Sequence, residues 1–436
     1  MSISTESQYV DRSQAGEDYP LSAVPAESRK SLWSLAPLLM GFTLYSGTLF
    51  AGGLVGPQFR FFPDLLGLIL VGNLILGIYA AGLAYIAANT GLTTVLMSRF
   101  SFGNIGSRWV DFILGFTQIG WYAWGSALIA DLLNKLLGVP ESLNWLTILF
   151  FTYFFCWTAY IGYRAMDWLS RIAVPAMLIL MLWSLSIAAG QVGGWEGLQA
   201  ITPQGEMTIG AALTIIVGTF VSGGTQATNW SRFANSAKTA TIGTLAAFFL
   251  ANGFLIFTGA FCALVYSGIS DVADSSDIVQ VMAYQGLLFW GLVLLFLNMW
   301  TTQDNTMYAF SVAGAHMFRT NKRTWFVLGG ATIALILAWA GIYEALVPYL
   351  ILLGTFIPPI GGIIMADFWL YRRGAFPPLD QPQPAFNWAG IISYVVASAI
   401  AYFSSQANIG IAPINGIVAA VIIYYVLAKA LPTQTS

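Results

Sequence analysis

Few side chains in this sequence could do chemistry, and most of them sit inside apolar runs. Gln118, Trp121 and Gly125 lie at i, i+3 and i+7, which puts them on one face of a helix. A carboxamide, an indole and a gap on one face suit a planar heterocycle. The ring would stack on the indole, and the amide would offer its edge both a donor and an acceptor. The same spacing also serves a glutamine bonded to a neighbouring helix beside a packing tryptophan, and spacing alone leaves both readings open. Further on, Asn298-Met299-Trp300-Thr301-Thr302-Gln303-Asp304-Asn305 sets two hydroxyls three and four residues beyond Asn298. With the Asn298 carbonyl, that patch offers three oxygens to a hard cation. Threonines in apolar helices also bond back to their own helix, so here too the structural alternative stands. Asp304 reads either as an acid inside the membrane, a functional candidate by default, or as a cap at the cytoplasmic edge. The structural role is the reading adopted. Asp111 and Asp131 read as interfacial, and His316, the only histidine, as a solvated loop residue.

Other chemistries find no support. HExxH, GxSxG and P-loop patterns are missing, which speaks against an intramembrane protease, a lipase or an ATP-driven pump. Cys156 and Cys262 lack metal-ligand spacing and read as buried thiols. A net charge of −2 argues against a nucleic-acid partner. Asn229-Trp230-Ser231 matches a glycosylation acceptor, but it falls at the cytoplasmic end of a span and is rejected.

The elements that must position these residues are membrane helices. Hydrophobic residues make up 57% of the chain and charged ones 8%, against about 25% charged in a soluble domain. Twelve apolar runs long enough for the bilayer are expected at 33–57, 65–88, 109–137, 145–163, 167–189, 208–231, 240–267, 279–303, 325–340, 344–370, 388–404 and 409–430. Two of them are interrupted. Residues 213–232 carry Ser222-Gly223-Gly224-Thr225 in mid-segment, and residues 33–57 carry Gly41, Gly47, Gly52 and Gly53. Glycine weakens a helix, and peptide groups bared inside a bilayer are tolerated only where protein or a watery cavity receives them. Paired interrupted spans in two halves point to a transporter's binding site. Pro358-Pro359 and Gly361-Gly362 mark the tenth run as bent or broken.

The charges give an independent check. With both termini cytoplasmic, only Arg60 and Lys135 of the 17 basic residues fall on the outer face, as the positive-inside rule requires. The polar residues 1–28 read as a disordered cytoplasmic tail without a signal peptide, and 29–436 as a single membrane domain. Most of the many aromatic residues read as interfacial belt or helix packing, with a few free to stack on a flat ligand.

Longer motifs narrow the class: GFTLYSGTLFAGG at 41–53, GNLILGIY at 72–79, TGLTTVLMSRFSFG at 90–103, TQIGW at 117–121, NMWTTQDNTMYA at 298–309, then Pro358-Pro359-Ile360-Gly361-Gly362 and Ala366-Asp367. From about residue 29 to 430 the chain resembles the nucleobase–cation symport-1 family, in its bacterial cytosine-transporting branch. The resemblance implies an all-α polytopic fold of twelve transmembrane helices. Two five-helix inverted repeats, 33–189 and 208–370, would have broken first and sixth helices, followed by two accessory helices at 388–430. It implies a sodium-coupled symporter of a nucleobase, cytosine first, working by alternating access in the bacterial inner membrane. It implies no enzyme activity, no cofactor beyond Na+ as coupling ion, and no obligatory protein partner. The base would lie between Trp121 and Phe220, with polar edges met by Gln118, Thr219, Ser222, the backbone around Tyr45 and Ser46, and Gln303. Sodium would take carbonyls of Gly41, Leu44 and Asn298 and the hydroxyls of Thr301 and Thr302. Three positions depart from the branch: Thr219 replaces a serine, Gly223 an alanine and Gln303 an asparagine. Purines, uracil, hydantoins and hydroxymethylpyrimidine therefore stay open as substrates, as does coupling to protons. A channel and a membrane enzyme are the rivals from other classes.

Overall fold

The computed structural model describes residues 19, 21–161, 163–269, 272, 274–320 and 322–431. Among them helices dominate and no strand forms; an isolated bridge pairs Lys30 with Ala234. The main helices follow in order as Leu32–Thr43, Ser46–Val55, Leu66–Thr90, Thr94–Phe102, Ser107–Leu137, Asn144–Ile161 and Tyr163–Gln191. A second series runs Ile209–Gly218, Val221–Gln226 with Thr228–Ser231, Ala237–Ala246 leading through a π segment into Gly253–Tyr266, Leu288–Met317, Arg323–Trp339, and Leu346–Phe356 with Pro358–Met365. Trp388–Gln406 and Ala412–Ala430 close the chain. Of the tail expected to be disordered, residues 1–18 and 20 lie outside the described residues. Its end packs on the protein: Val24 is buried and donates its N–H to the Gly91 carbonyl at 3.0 Å.

Seven helices are long and apolar enough to cross a membrane, and nine spans result if each of two bent pairs counts once. Ser107–Leu137 and Leu288–Met317 fall outside that set although they are long, because they carry Gln118 and the run from Asn298 to Asn305 in mid-helix. Both of these long helices carry candidate chemistry.

Both interrupted spans are bent, by 54° between Leu32–Thr43 and Ser46–Gln58 and by 44° between Ile209–Gly218 and Val221–Ser231. The breaks fall elsewhere than the glycines suggest. In the first, Leu44 (ψ 85°) and the extended Tyr45 leave the helix; in the second, Phe220 does (φ −137°, ψ 11°). Gly223 and Gly224 are helical, and their use is close packing. A β-carbon on Gly223 would come within 2.6 Å of the Phe220 ring and 3.0 Å of Phe42. The tenth run is not among the bent pairs: Ile342–Tyr371 counts as one span, its Pro358 taking a first-turn position where no N–H is needed.

Polar groups join the helices where the backbone departs from α-geometry. The π segment Ala247–Asn252 frees the Ala247 carbonyl, and Thr43, at the end of the first half-helix, donates its hydroxyl to it at 3.1 Å. The Asn252 amide donates to Asn73 Oδ1 at 2.8 Å and accepts from the Thr48 hydroxyl at 3.0 Å.

Three titratable residues sit deeper than their sequence context suggests. The polar run 301–305 looks like the end of a span, but the helix continues to Met317. His316 is therefore no solvated loop residue. It and Asp111 are fully buried and meet at 2.7 Å, Nδ1 to Oδ2. Asp304 is no edge cap either: it is buried in mid-helix, where Oδ2 accepts from the Thr158 hydroxyl at 3.2 Å and Oδ1 finds no partner among the described residues.

Ser46–Val55 packs backbone to backbone on Gly253–Tyr266, which small residues permit. A β-carbon at Gly52 would meet the Ile256 carbonyl and lie 2.9 Å from the Ala260 nitrogen, neither of which can swing aside. Gly52→Ala is therefore expected to cost about 1–3 kcal/mol, read as a lower midpoint of thermal unfolding in detergent. An unchanged midpoint would mean these helices are not in close contact.

Candidate functional site

The two breaks bring their loose ends to one place between the long helices. A closed cavity there is lined by Phe42, Tyr45, Gln118, Trp121, Thr219, Phe220, Ser222, Gly223, Thr302 and Thr306. Its free space is about 10 Å³, room for one water-sized guest. One wall comes from Ser107–Leu137, whose i, i+3 spacing turns Gln118 and Trp121 to the same side. The other comes from the second break, which supplies Thr219, Phe220 and Ser222. The two walls meet where the Gln118 Nε2 amide faces the Ser222 hydroxyl at 3.5 Å.

Four of the ten lining residues, Phe42, Tyr45, Trp121 and Phe220, are aromatic. Trp121 is 3% exposed, and Tyr45, Tyr349 and Trp124 stand nearly perpendicular to it, with centroids at 5.2, 5.2 and 6.1 Å. The Tyr45 and Tyr349 hydroxyls donate to the carbonyls of Trp121 (3.4 Å) and Thr117 (2.5 Å), so both rings that flank the indole are anchored to the helix that carries it. Phe220 packs edge-on against Phe42 at 5.0 Å and Phe248 at 5.7 Å. No charged residue lines the cavity.

The first break is tied to the long helix Leu288–Met317 through one side chain. Asn298 donates its amide N–H to the Leu44 carbonyl at 2.6 Å, and its Oδ1 accepts from the Ser46 N–H at 2.6 Å and from the Ser46 hydroxyl. The Thr302 hydroxyl lies 3.5 Å from the same Leu44 carbonyl. The Thr301 hydroxyl donates back to the Asn298 carbonyl at 2.9 Å, the self-bonding alternative noted for helical threonines. Gly41 lies in the last turn of the half-helix ending at Thr43, where carbonyls lack an onward helical donor.

Of the residues expected at a substrate, Gln118, Trp121, Thr219, Phe220, Ser222 and Tyr45 line the cavity, while Ser46 is turned to Asn298. Gln303, also expected at the base, is not among the lining residues. Its amide donates to the Tyr122 carbonyl at 2.6 Å and the Ser126 hydroxyl at 3.1 Å. The gap expected at Gly125 is filled by the same amide and by Met299. Of the residues expected at an ion, Leu44, Asn298 and Thr302 lie together, Thr301 bonds the Asn298 carbonyl, and Gly41 stands three residues before Leu44. Three contributors went unnoticed in the sequence: Phe42, Thr306 and Tyr349. Phe42 and Thr306 sit within quoted motifs, so those motifs could have pointed to them. Tyr349 reaches Trp121 from 228 positions away, and nothing in its own run marks it.

The family described as permeases for cytosine/purines, uracil, thiamine and allantoin matches residues 23–428. Cytosine permeases of Escherichia coli O157:H7 and strain K12 are each 34% identical over 413 residues, covering 95% of this chain and 94% of theirs. Among solved structures, Mhp1, a nucleobase-cation-symport-1 family transporter closed on bromovinylhydantoin, gives a TM-score of 0.76 at 18% identity, covering 94% of this chain and 96% of that one. A Na+-coupled sialic acid symporter in a substrate-bound outward-open state gives 0.70 at 13% identity, covering 97% and 93%. At such identities the likeness establishes the fold: this chain is folded as these transporters are.

The Asn298 bridge is expected to be needed even without a ligand. Asn298→Leu strands the Leu44 carbonyl and the Ser46 N–H in a dry interior, a loss of about 2–4 kcal/mol measurable by thermal unfolding of the unliganded protein. A variant as stable as the parent would show that the break satisfies itself.

Proposed function

The chain belongs to the family of permeases for cytosine, purines, uracil, thiamine and allantoin, so it is a membrane permease and not an enzyme; from that premise we propose that it is a sodium-coupled importer of cytosine that works by alternating access. One observation carries the substrate reading. The Gln118 amide and the Ser222 hydroxyl meet at 3.5 Å at the edge of a cavity also lined by Trp121 and Phe220, with no charged group among its lining residues. Two aromatic faces and a hydrogen-bonding edge suit a flat, uncharged base. With about 10 Å³ free, a base enters only when the two walls part, and such parting is what alternating access supplies.

The ion reading rests on chemistry at the first break. Leu44, Asn298, Thr301 and Thr302 offer neutral oxygens, the donor type hard cations prefer. Two oxygens held about 2.4 Å from such a cation and at right angles lie about 3.4 Å apart, close to the 3.5 Å between the Leu44 carbonyl and Thr302 Oγ1. With the Gly41 carbonyl these residues would hold sodium, whose charge would favour whichever arrangement keeps the first break against the long helix. Leu44 precedes Tyr45, which lines the cavity, so ion and base are read by adjacent residues.

The topology follows the same reading. The seven apolar helices, the two bent pairs, Ser107–Leu137, Leu288–Met317 and Arg323–Trp339 give twelve spans in the bacterial inner membrane, with both termini cytoplasmic. The bent pairs open two inverted five-helix repeats, and two accessory helices follow. A second reading, import of another planar heterocycle, is favoured by Gln303: turned to Tyr122, it leaves the lining one polar contact short of what an asparagine-like residue at the base would supply.

Uptake of labelled cytosine into proteoliposomes tests the proposal. A sodium gradient is expected to drive accumulation; equal uptake without one, or uptake driven by a pH gradient alone, removes sodium. Competition by other bases ranks the substrates. Trp121→Ala is expected to weaken base binding on the order of tenfold to a hundredfold, the range of a lost stacking contact. Thr302→Ala should instead raise the sodium concentration needed for half-maximal uptake, and an unchanged sodium response would remove that residue from the ion site.

A further inference from the structure

Away from the cavity, two guanidiniums converge on one asparagine. Arg99, in the last turn of Thr94–Phe102, donates Nε–H to Asn104 Oδ1 at 2.9 Å. Arg319, just past the end of Leu288–Met317, donates Nη2–H to the Asn104 carbonyl at 3.0 Å, and its Nη1 meets His316 Nε2 at 2.8 Å. Arg319 holds these bonds with a left-handed backbone (φ 52°), a conformation side chains with a β-carbon seldom adopt. Arg108 stands nearby, exposed, its guanidinium making no hydrogen bond among the described residues. Burial first, and then the charge of Arg99, hold the Arg319 guanidinium below its ordinary range. The carboxylate these three arginines face, Asp111, is already committed to His316. One carboxylate shared among three arginines leaves the cluster with a positive excess.

Its surroundings are those of a lipid headgroup. Trp109, Phe386 and Trp388 are 54%, 44% and 59% exposed, and Asn104 is tied to their level by its N–H bond to the Pro384 carbonyl at 2.8 Å. Exposed aromatic residues of this kind mark the membrane–water interface. From Trp109 an exposed ladder climbs the outside of its helix: Trp109 on Phe112 at 5.7 Å, then Phe112 on Phe116 at 5.9 Å, both nearly parallel. We propose that Arg99, Arg108 and Arg319 bind the phosphate of an anionic phospholipid whose acyl chain lies along the Trp109–Phe112–Phe116 ladder. The arginines supply the charge, and the ladder separates a lipid from a free anion. The site is independent of what the permease carries.

The test uses the full chain in detergent, with lipid retention read by native mass spectrometry and by the shift in unfolding temperature. Phosphatidylglycerol is expected to bind and stabilise, and phosphatidylcholine much less. Arg99→Gln with Arg108→Gln, leaving Arg319 to hold His316, should weaken phosphatidylglycerol binding about thirtyfold, and Arg108→Gln alone about fivefold. Arg108→Gln touches no protein hydrogen bond, so it reads the site even if the double variant folds poorly. Base binding by the single variant should equal that of the parent. Equal phosphatidylglycerol affinity in Arg108→Gln and parent, or no preference over phosphatidylcholine, overturns the proposal. Stabilisation by inorganic phosphate or glycerophosphoglycerol as strong as by the lipid also overturns it, and assigns the cluster to a soluble anion.

Discussion

Peptide groups bared inside a bilayer must find partners, and the two helix breaks meet that demand in different ways. At the second break the chain serves itself: Phe220 N–H reaches the Val217 carbonyl, and the Phe220 carbonyl takes the Gly224 N–H at 2.7 Å. At the first break it cannot. Met40 accepts from Leu44 N–H and Tyr45 from Thr48 N–H, but the Leu44 carbonyl and the Ser46 N–H go to Asn298, more than 250 residues away. The first break is therefore a joint between two helices, and the second is a bend within one. Any change of position between Leu32–Thr43 and Leu288–Met317 must exchange the Asn298 bonds for others of equal worth. Oxygen-seeking cations and hydroxyl donors are the partners able to make that exchange at Leu44.

The rings of the cavity follow from the same geometry. Tyr45 and Phe220 are the residues that leave the helix at each break, so their side chains are thrown towards one another and towards Trp121. Glycines then make room. A β-carbon at Gly47 would press on the Tyr45 ring and lie 3.0 Å from Trp121, and one at Gly223 would strike Phe220. Edge-to-face packing fills most of the space without a guest.

Much of this was legible in the sequence, and the misses share one cause. Helical spacing placed Gln118 and Trp121 on the cavity because i and i+3 share a face whatever packs against it. Gly125 failed because its gap is filled from another helix, by Gln303 and Met299. His316 and Asp304 failed because a polar run normally ends an apolar helix, whereas here neighbouring helices bury it: Thr158 meets Asp304, and Asp111 meets His316. The glycines located both breaks to within a few residues but were assigned the wrong task, since close packing and unwinding leave the same mark in a sequence. Tyr349 carried no local mark at all.

Gln303 shows how one methylene redistributes polar groups between fold and site. On Leu288–Met317, Thr302 and Thr306 face the cavity, and Gln303, one residue on from Thr302, points towards Ser107–Leu137. Its amide bonds the Tyr122 carbonyl and the Ser126 hydroxyl across the Gly125 gap. A shorter amide at 303 would reach less far across that gap, and the two long helices would lose a direct tie. With Gln303 spent on that tie, hydroxyls are the only side-chain polar groups this helix presents to the cavity. The amide side chain among the lining residues is Gln118, on Ser107–Leu137. A buried amide bonded to a carbonyl and a hydroxyl is costly to withdraw, so this division is fixed by the fold rather than chosen by the ligand.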